Sequence, residues 1–169
     1  PERIKIWSGK GIKTILNFRG ETNQGSYFLE KEACETFGIE LINFRLFATK
    51  LPSRESILEL ENVFKKIKSP FLMHCKSGSD RAGLGSALYF IYILRSPITE
   101  AQKQLSIKFL HIGGWTAGIL DFMLMRYREE FEDTGISFKN WVAEIYEPGQ
   151  LTKEFNSFRN SNPWLKVPR

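Results

Sequence analysis

The sequence predicts an α/β domain: a small, mainly parallel sheet flanked by helices on both faces. Three observations carry this. Apolar runs short enough to be buried strands alternate with amphipathic stretches at helical spacing. Glycines and prolines punctuate the joints between them. The chain has 169 residues, 42% hydrophobic and 25% charged, which suits one globular domain and not a disordered chain. A single domain over residues 1–169 is expected, with its core over about 12–146 and a C-terminal tail over about 150–169.

Each element has its own signal. Glu2–Ser8 reads as a short helix. Gly11–Phe18 (GIKTILNF) is an apolar run that reads as a buried strand. Ser26–Phe37 suits a helix, with Gly38 as its C-cap. Ile39–Phe44 is a second strand. Pro52-Ser53 opens the next helix, and Ser53 is placed to cap it. Ile57, Leu60, Phe64 and Ile67 fall on one face of that helix. Pro70 closes the connection, and Phe71-Leu72-Met73 starts a third strand. The second half reads as helical. Arg81–Leu94 is largely apolar, and Thr99 with Gln102 fits a capping box for a helix running to about Leu110. Gly113-Gly114 breaks the chain, and Ala117–Phe131 and Phe138–Tyr146 are two further helices. The end of the chain reads as a tail that Trp164 would pin to the body.

Charge and composition narrow the function classes. The chain has 24 basic and 19 acidic residues, a net charge of +5, spread evenly and without a basic run. This reads as a mildly cationic solvated surface, so no nucleic-acid partner is expected, while local attraction for an anionic ligand stays open. The uncharged apolar stretch Ala82–Leu94 is shorter than the roughly 20 residues that span a bilayer. The chain begins at Pro1 and not at a methionine, as expected of a trimmed N-terminus. A cytoplasmic location and a monomer are expected, with an upstream signal or anchor left open. Cys34 and Cys75 are too few for a disulfide framework; one disulfide or a lone reactive thiol are the alternatives. Two histidines and two cysteines fall at no ligand spacing, so neither a metal nor a cofactor is expected.

The segment that carries chemistry is Phe71–Gly83, reading FLMHCKSGSDRAG. A strand leads in, a loop of small residues follows, and a long helix leads out. Such a loop can curl so that backbone N–H groups from Lys76 to Arg81 converge on one point, with the positive end of the helix dipole behind them. A phosphate fits that nest, and Arg81 can hold two of its oxygens through its guanidinium fork. Cys75 lies at the floor. The same N–H groups stabilise its thiolate, so its pKa is expected to fall from about 8.5 toward the range of roughly 3.5–7.5 found at helix N-termini. A thiolate under a phosphate is a nucleophile aimed at phosphorus. Gly78 permits a backbone conformation that other residues resist.

The string His74-Cys75-Lys76-Ser77-Gly78-Ser79-Asp80-Arg81 resembles the signature loop HCxxGxxR of the cysteine-dependent protein tyrosine and dual-specificity phosphatases. Gly11–Gly20 (GIKTILNFRG) is similar to the first core strand of their bacterial dual-specificity-like branch. The resemblance covers Ile12 to about Tyr146 and implies the phosphotyrosine protein phosphatase II-like fold. It implies that Cys75 forms a phospho-cysteine intermediate and that Arg81 binds phosphate in substrate and transition state. It places Lys76, Ser77, Gly78, Ser79, Asp80 and Arg81 around the phosphate. His74 either supports the thiolate from behind the loop or is a hydrogen-bonded histidine at a strand end.

The general acid is harder to place, because a leaving oxygen needs a proton. Many relatives supply it from an aspartate on a separate loop. Here the matching segment Phe44–Pro52 has no carboxylate, and the next one is Glu55. Among the aspartates Asp80, Asp121 and Asp133, only Asp80 lies in the phosphate loop. An aspartate at that position resembles the loop of myotubularin-like lipid phosphatases and of some broad-specificity bacterial ones. Asp80 is therefore assigned as the acid, against an ion pair that shapes the loop, while Asp121 reads as a solvated or N-capping group. Arg19, Arg45, Lys50 and Lys76 make the mouth basic, since strand carboxyl ends line one crevice. The expected substrate is a phosphorylated protein, or a polyanionic phospholipid or inositol phosphate that brings the chain to a membrane surface. One position departs from the family: Ala82 stands where a serine or threonine hydroxyl usually helps the thiolate leave. That departure keeps a low-turnover phosphate-binding module as an alternative. A rhodanese-like sulfurtransferase and a structural cysteine in an ordinary βα turn are the remaining ones.

Overall fold

The computed structural model describes residues 1–111 and 116–161. In chain order the elements are α1 (Glu2–Gly9), β1 (Thr14–Asn17), α2 (Gly25–Thr36), β2 (Glu40–Asn43), α3 (Arg54–Lys66), β3 (Phe71–His74), α4 (Asp80–Tyr92), α5 (Ile98–Gln102), α6 (Gly118–Glu130), α7 (Phe138–Glu144) and α8 (Pro148–Ser161), with 3-10 turns at Ile107–Phe109 and Glu132–Thr134. The strands form one parallel sheet in the order β2-β1-β3. β1 is the middle strand, and all four of its residues are buried.

Because side chains alternate along a strand, the register sorts them into two faces. Ile15 pairs with Leu41 and Leu72. This face packs with Ile4, Ala33, Cys34 and Ile39 of the α1–α2 side in a small core. Leu16 pairs with Ile42 and Met73. That face packs into the large core built by α3, α4, α6, α7 and α8. Helices thus cover both faces, as the sequence pattern predicts.

Local chemistry sets the ends of the elements that matter for the site. The Ser53 hydroxyl caps α3 by accepting the Ser56 N–H at 3.2 Å. Arg54 then ties α3 to the far end of the fold through the carbonyls of Ala143 and Tyr146 and the Glu147 carboxylate. α4 approaches the sheet closely because of Gly85. A Cβ there would lie 2.2 Å from the Phe18 ring. The helix that follows the loop after β3 is therefore seated directly against the residue following β1.

Three expectations need correction. The segment from about 150 is not a tail up to residue 161. It is α8, and Leu151 and Phe155, one turn apart, are buried, with the Phe155 ring 5.5 Å from that of Phe122. Pro148 opens it, where a missing N–H costs nothing. The helix expected from Thr99 to Leu110 stops at Gln102. Pro97, not Thr99, holds its N-cap position; the Ile98 N–H donates to Glu132, and the Gln102 amide accepts from Arg128. The chain then turns, keeps Leu105 in the core and runs through the 3-10 turn to Leu110, which has φ +61°. The third correction, at Asp121, belongs to the site. Gly113-Gly114 and Trp164 lie outside the described residues. No helix among the described residues is long and apolar enough to cross a membrane.

Candidate active site

The carboxyl ends of the three strands lie side by side, since Asn17 pairs with both Asn43 and His74. Beyond that row the Phe18 N–H donates to the His74 carbonyl at 2.9 Å, and the Leu46 N–H to the Phe18 carbonyl at 3.1 Å. The segment between β3 and α4 starts from this row. Gly78 adopts φ +74°, which lets the chain turn back under the start of α4.

Cys75 is buried, with 8% of its surface exposed. Burial alone pushes its thiol up. The N–H groups of Ala82, Ser77 and Gly78 point at the sulfur and, with the Arg81 charge, outweigh burial, so the thiol titrates below its ordinary value. No carboxylate pairs with Arg81 among the described residues, so its fork is open for an anion. Cys34 is the other free thiol, buried in the small core, and no disulfide joins the two. Burial, followed by the charges of Glu30 and Glu35, pushes Cys34 up to about 11.

Behind the loop runs a string of titratable groups. His111 is fully buried, with Nδ1 2.7 Å from Asp80 Oδ1 and Nε2 2.5 Å from Asp121 Oδ2. Burial pulls its pKa down, but the hydrogen bonds and charges of Asp121 and Asp80 raise it overall. Each ring nitrogen of His111 thus faces one carboxyl group, Asp80 on the side of the loop and Asp121 on the side of α6. Asp121 is not a solvated or capping group: it is 1% exposed and packed inside α6. The signal for it was in the sequence. An acid within the apolar stretch GILDFML cannot be buried without a partner, and His111 is one of only two histidines.

The remaining candidates divide into two groups. Ser79 is buried, and its hydroxyl lies 2.8 Å from the Leu110 carbonyl and 3.1 Å from Asp80 Oδ1. Its single proton is engaged there, so it does not substitute for the hydroxyl missing at Ala82. Lys76 and Ser77 are exposed on the loop. His74 sits at the strand end, Nδ1 3.2 Å from the Cys75 carbonyl and Nε2 2.7 Å from Glu30 Oε1. Arg19, Arg45 and Lys76 each lie two residues past the paired row, on one edge of the sheet. The side chains of the two arginines have local partners. Arg19 donates to Gln24 and Ser26 at the start of α2, and Arg45 donates to the Glu21 carbonyl. Lys50 lies over the Phe47 ring at 5.9 Å. Glu55 is exposed in the first turn of α3. Its own backbone N–H and Ser53 hold its carboxyl below the usual range, which suits a helix-end anion and not a proton donor. Among the described residues no cluster of His, Cys, Asp and Glu is arranged to hold a metal ion.

Comparison with known proteins adds a family and a fold. The family model described as "DSP-PTPase phosphatase fused to NAD+ kinase" matches residues 4–112. No curated protein matches the chain by sequence. Among solved structures, TpbA of P. aeruginosa in complex with phosphotyrosine aligns at 15% identity and a TM-score of 0.55, covering 85% of this chain and 80% of that one. TpbA also aligns in a second crystal structure, at 17% identity and a TM-score of 0.54, over 75% of this chain and 78% of that one. A protein from Neisseria meningitidis Z2491 assigned to the phosphatases aligns at 18% identity and a TM-score of 0.50, over 78% of this chain and 85% of that one. At such identities the likeness is one of fold.

Proposed function

Since the chain belongs to the family of DSP-PTPase phosphatases fused to NAD+ kinase, we propose that it is a phosphatase that hydrolyses phosphomonoesters through a phospho-cysteine on Cys75. The observation that carries this reading is the environment of Cys75: a buried sulfur with three backbone N–H groups aimed at it, beside an arginine that no carboxylate occupies. Phosphate bound in the nest places phosphorus over the sulfur. The thiolate attacks, the P–O bond breaks, and its electron pair goes to the leaving oxygen. Water then attacks the phospho-cysteine, the S–P bond breaks, and phosphate and thiolate are released. Arg81 and the loop N–H groups carry the charge on the equatorial oxygens through both steps.

Asp80 supplies the proton to the leaving oxygen and takes one from the attacking water. His111 supports this role as a positioning residue: its Nδ1–H fixes one carboxyl oxygen of Asp80, and Asp121 fixes the ring from behind. The family's missing hydroxyl at Ala82 matters in the second step, where the thiolate leaves. The Ala82 backbone N–H is among the groups that lower the Cys75 thiol, which supports turnover without that hydroxyl. The cations beyond the strand ends that lack a carboxylate partner among the described residues, Arg19, Arg45, Lys50 and Lys76, favour a substrate with more than one negative group, whether protein-borne, lipid-borne or an inositol phosphate. A single catalytic domain suits the packing, because the large core draws on residues from Leu16 to Phe155 and the small one lies on the other face of the same sheet.

The test is turnover of p-nitrophenyl phosphate by the wild type and by Cys75→Ser, with vanadate binding measured on both. Loss of about four orders of magnitude in kcat with vanadate still bound is expected. Retention of more than about a hundredth of the activity overturns the assignment.

A further inference from the structure

Resting on that reading of the site, we propose that the mouth of the phosphate loop docks onto an anionic lipid bilayer and that its substrate is a lipid phosphomonoester presented there. The exposed apolar side chains carry the argument. The large hydrophobic residues exposed to solvent among the described residues are Ile6, Leu94 and Ile145, and then Phe28, Leu29, Phe47, Ile107, Phe109 and Leu110. The last six stand on three segments that are tied by hydrogen bonds to the strand ends or to the loop after β3. Phe28 and Leu29 lie near the start of α2, where Arg19 at the end of β1 holds Gln24 and Ser26. Phe47 follows Leu46, whose N–H bonds the Phe18 carbonyl beside the His74 row. Ile107, Phe109 and Leu110 share one tight turn, and the Leu110 carbonyl is within hydrogen-bonding reach of the phosphate loop's own Ser79 hydroxyl. Leu110 is 73% exposed and Ile107 59%.

Cations are interleaved with these tips. Lys108 stands between Ile107 and Phe109 with its ammonium over the Phe109 ring, and Lys50 lies over Phe47. Neither lysine, nor Arg19, Arg45 or Lys76 past the strand ends, has a carboxylate partner among the described residues. Aromatic and aliphatic tips with unpaired cations between them match a headgroup layer. The rings and Leu110 enter the acyl boundary, and the ammonium groups stay with lipid phosphates. Charge complementarity selects this occupant: lysines without a carboxylate partner among the described residues stand over the exposed Phe47 and Phe109 rings and are attracted to an anionic bilayer. The exposed apolar side chains are divided among three separate segments, which a headgroup layer accommodates without needing one complementary wall.

The experiment uses the full chain and vesicles of phosphatidylcholine alone or mixed with phosphatidylglycerol. Co-sedimentation is measured together with turnover of soluble p-nitrophenyl phosphate. The wild type is expected to bind the mixed vesicles, to bind the neutral ones at least tenfold more weakly, and to be released by salt. The double variant Phe47→Ser with Ile107→Ser, and separately Lys108→Glu, should lose at least tenfold in vesicle binding with soluble turnover unchanged. Hydrolysis of phosphatidic acid in the mixed vesicles should fall with binding, relative to a short-chain soluble analogue. No vesicle binding by the wild type, or binding that ignores these substitutions, overturns the proposal. So does a rise in KM for a phosphotyrosine peptide in the variants without any vesicle binding, which assigns the rim to a protein partner. Vesicle binding is read without turnover. A failure of the phosphatase reading therefore appears as lost turnover with docking intact, and a failure of docking as turnover without binding.

Discussion

Cys34 and Cys75 are both buried thiols beside the same three-stranded sheet, yet they titrate in opposite directions. Cys34 lies in the small core between α2 and the Ile15 face, where burial and the nearby Glu30 and Glu35 disfavour the thiolate and push its pKa up to about 11. Cys75 pays the same penalty of burial. It is overcome there by the N–H groups of Ala82, Ser77 and Gly78 and by Arg81. The difference is in what is aimed at the sulfur and not in how much water reaches it. Burial alone keeps a cysteine protonated; burial inside a ring of donors favours its thiolate.

The sharpest way to break the comparison is alkylation. Iodoacetamide at pH near 6.5 should label Cys75 many times faster than Cys34, because the thiolate is the reacting form. Mass spectrometry of the labelled peptides reads this directly. Inorganic phosphate should protect Cys75 by filling the nest. Equal labelling of the two would remove the distinction on which the catalytic assignment rests. Activity should follow the same division, with Cys75→Ser losing nearly all turnover and Cys34→Ala keeping it.

Next in size is the acid. Asp80→Asn should lower kcat/KM for an alkyl phosphate by roughly 10²–10⁴, the usual worth of a general acid. The loss on p-nitrophenyl phosphate should be much smaller, since p-nitrophenolate leaves without a proton. His111→Gln should show the same leaving-group pattern at a smaller size, because it removes the group that orients Asp80 without touching the substrate. A His111→Gln loss equal on both substrates would make the residue merely structural. Equal loss in Asp80→Asn would move the acid elsewhere.

The loop was legible from sequence because its chemistry is local: a cysteine, a glycine and an arginine at fixed spacing between a strand and a helix. The sheet was legible for a similar reason, since GIKTILNF and FLMH are apolar runs bounded by turn residues. His111 and Asp121 were not. They meet Asp80 across 31 and 41 positions of sequence separation only through the turn at Leu110 and the packing of α6. No local pattern encodes that meeting, although the acid inside GILDFML pointed to a buried partner. α8 was missed because polar residues dominate its composition, and only the spacing of Leu151 and Phe155 marks its buried face. The helix drawn from Thr99 to Leu110 failed at Gln102, where a long-range bond from Arg128 and the burial of Leu105 override a local capping pattern.

A smaller effect tests the second chemical step. If departure of the thiolate limits turnover, p-nitrophenol should appear in a burst before the steady state. Ala82→Thr should then raise kcat a few-fold by adding a hydroxyl near the sulfur, while leaving the burst rate constant unchanged. Ala82 is 8% exposed and lies against the core, so the thermal midpoint of the variant should be followed to separate a catalytic effect from a packing one. Absence of both burst and gain would mean that the Ala82 N–H is sufficient for the thiolate to leave.

The smallest expected effect returns to the two thiols as terms in stability. Each sign follows from its shift. Cys34 titrates above an unfolded thiol, whose pKa is about 8.5. Its contribution is therefore fully present below that pH and is lost as pH rises toward its folded value of about 11. Cys75 titrates below its ordinary value, so its contribution is fully present above about pH 8.5 and is lost as pH falls through its folded pKa. Thermal midpoints of the wild type, Cys34→Ala and Cys75→Ser from neutral pH to about pH 10 should therefore diverge by a few degrees in opposite senses. Relative to the wild type, Cys34→Ala should gain as pH rises past 8.5, because the wild type must then keep a buried thiol protonated. Cys75→Ser should lose relative to the wild type over the window below 8.5, where the folded thiolate is already formed and the unfolded thiol is not. Parallel curves for the two variants would mean that the donors around Cys75 do not stabilise its thiolate in the resting protein.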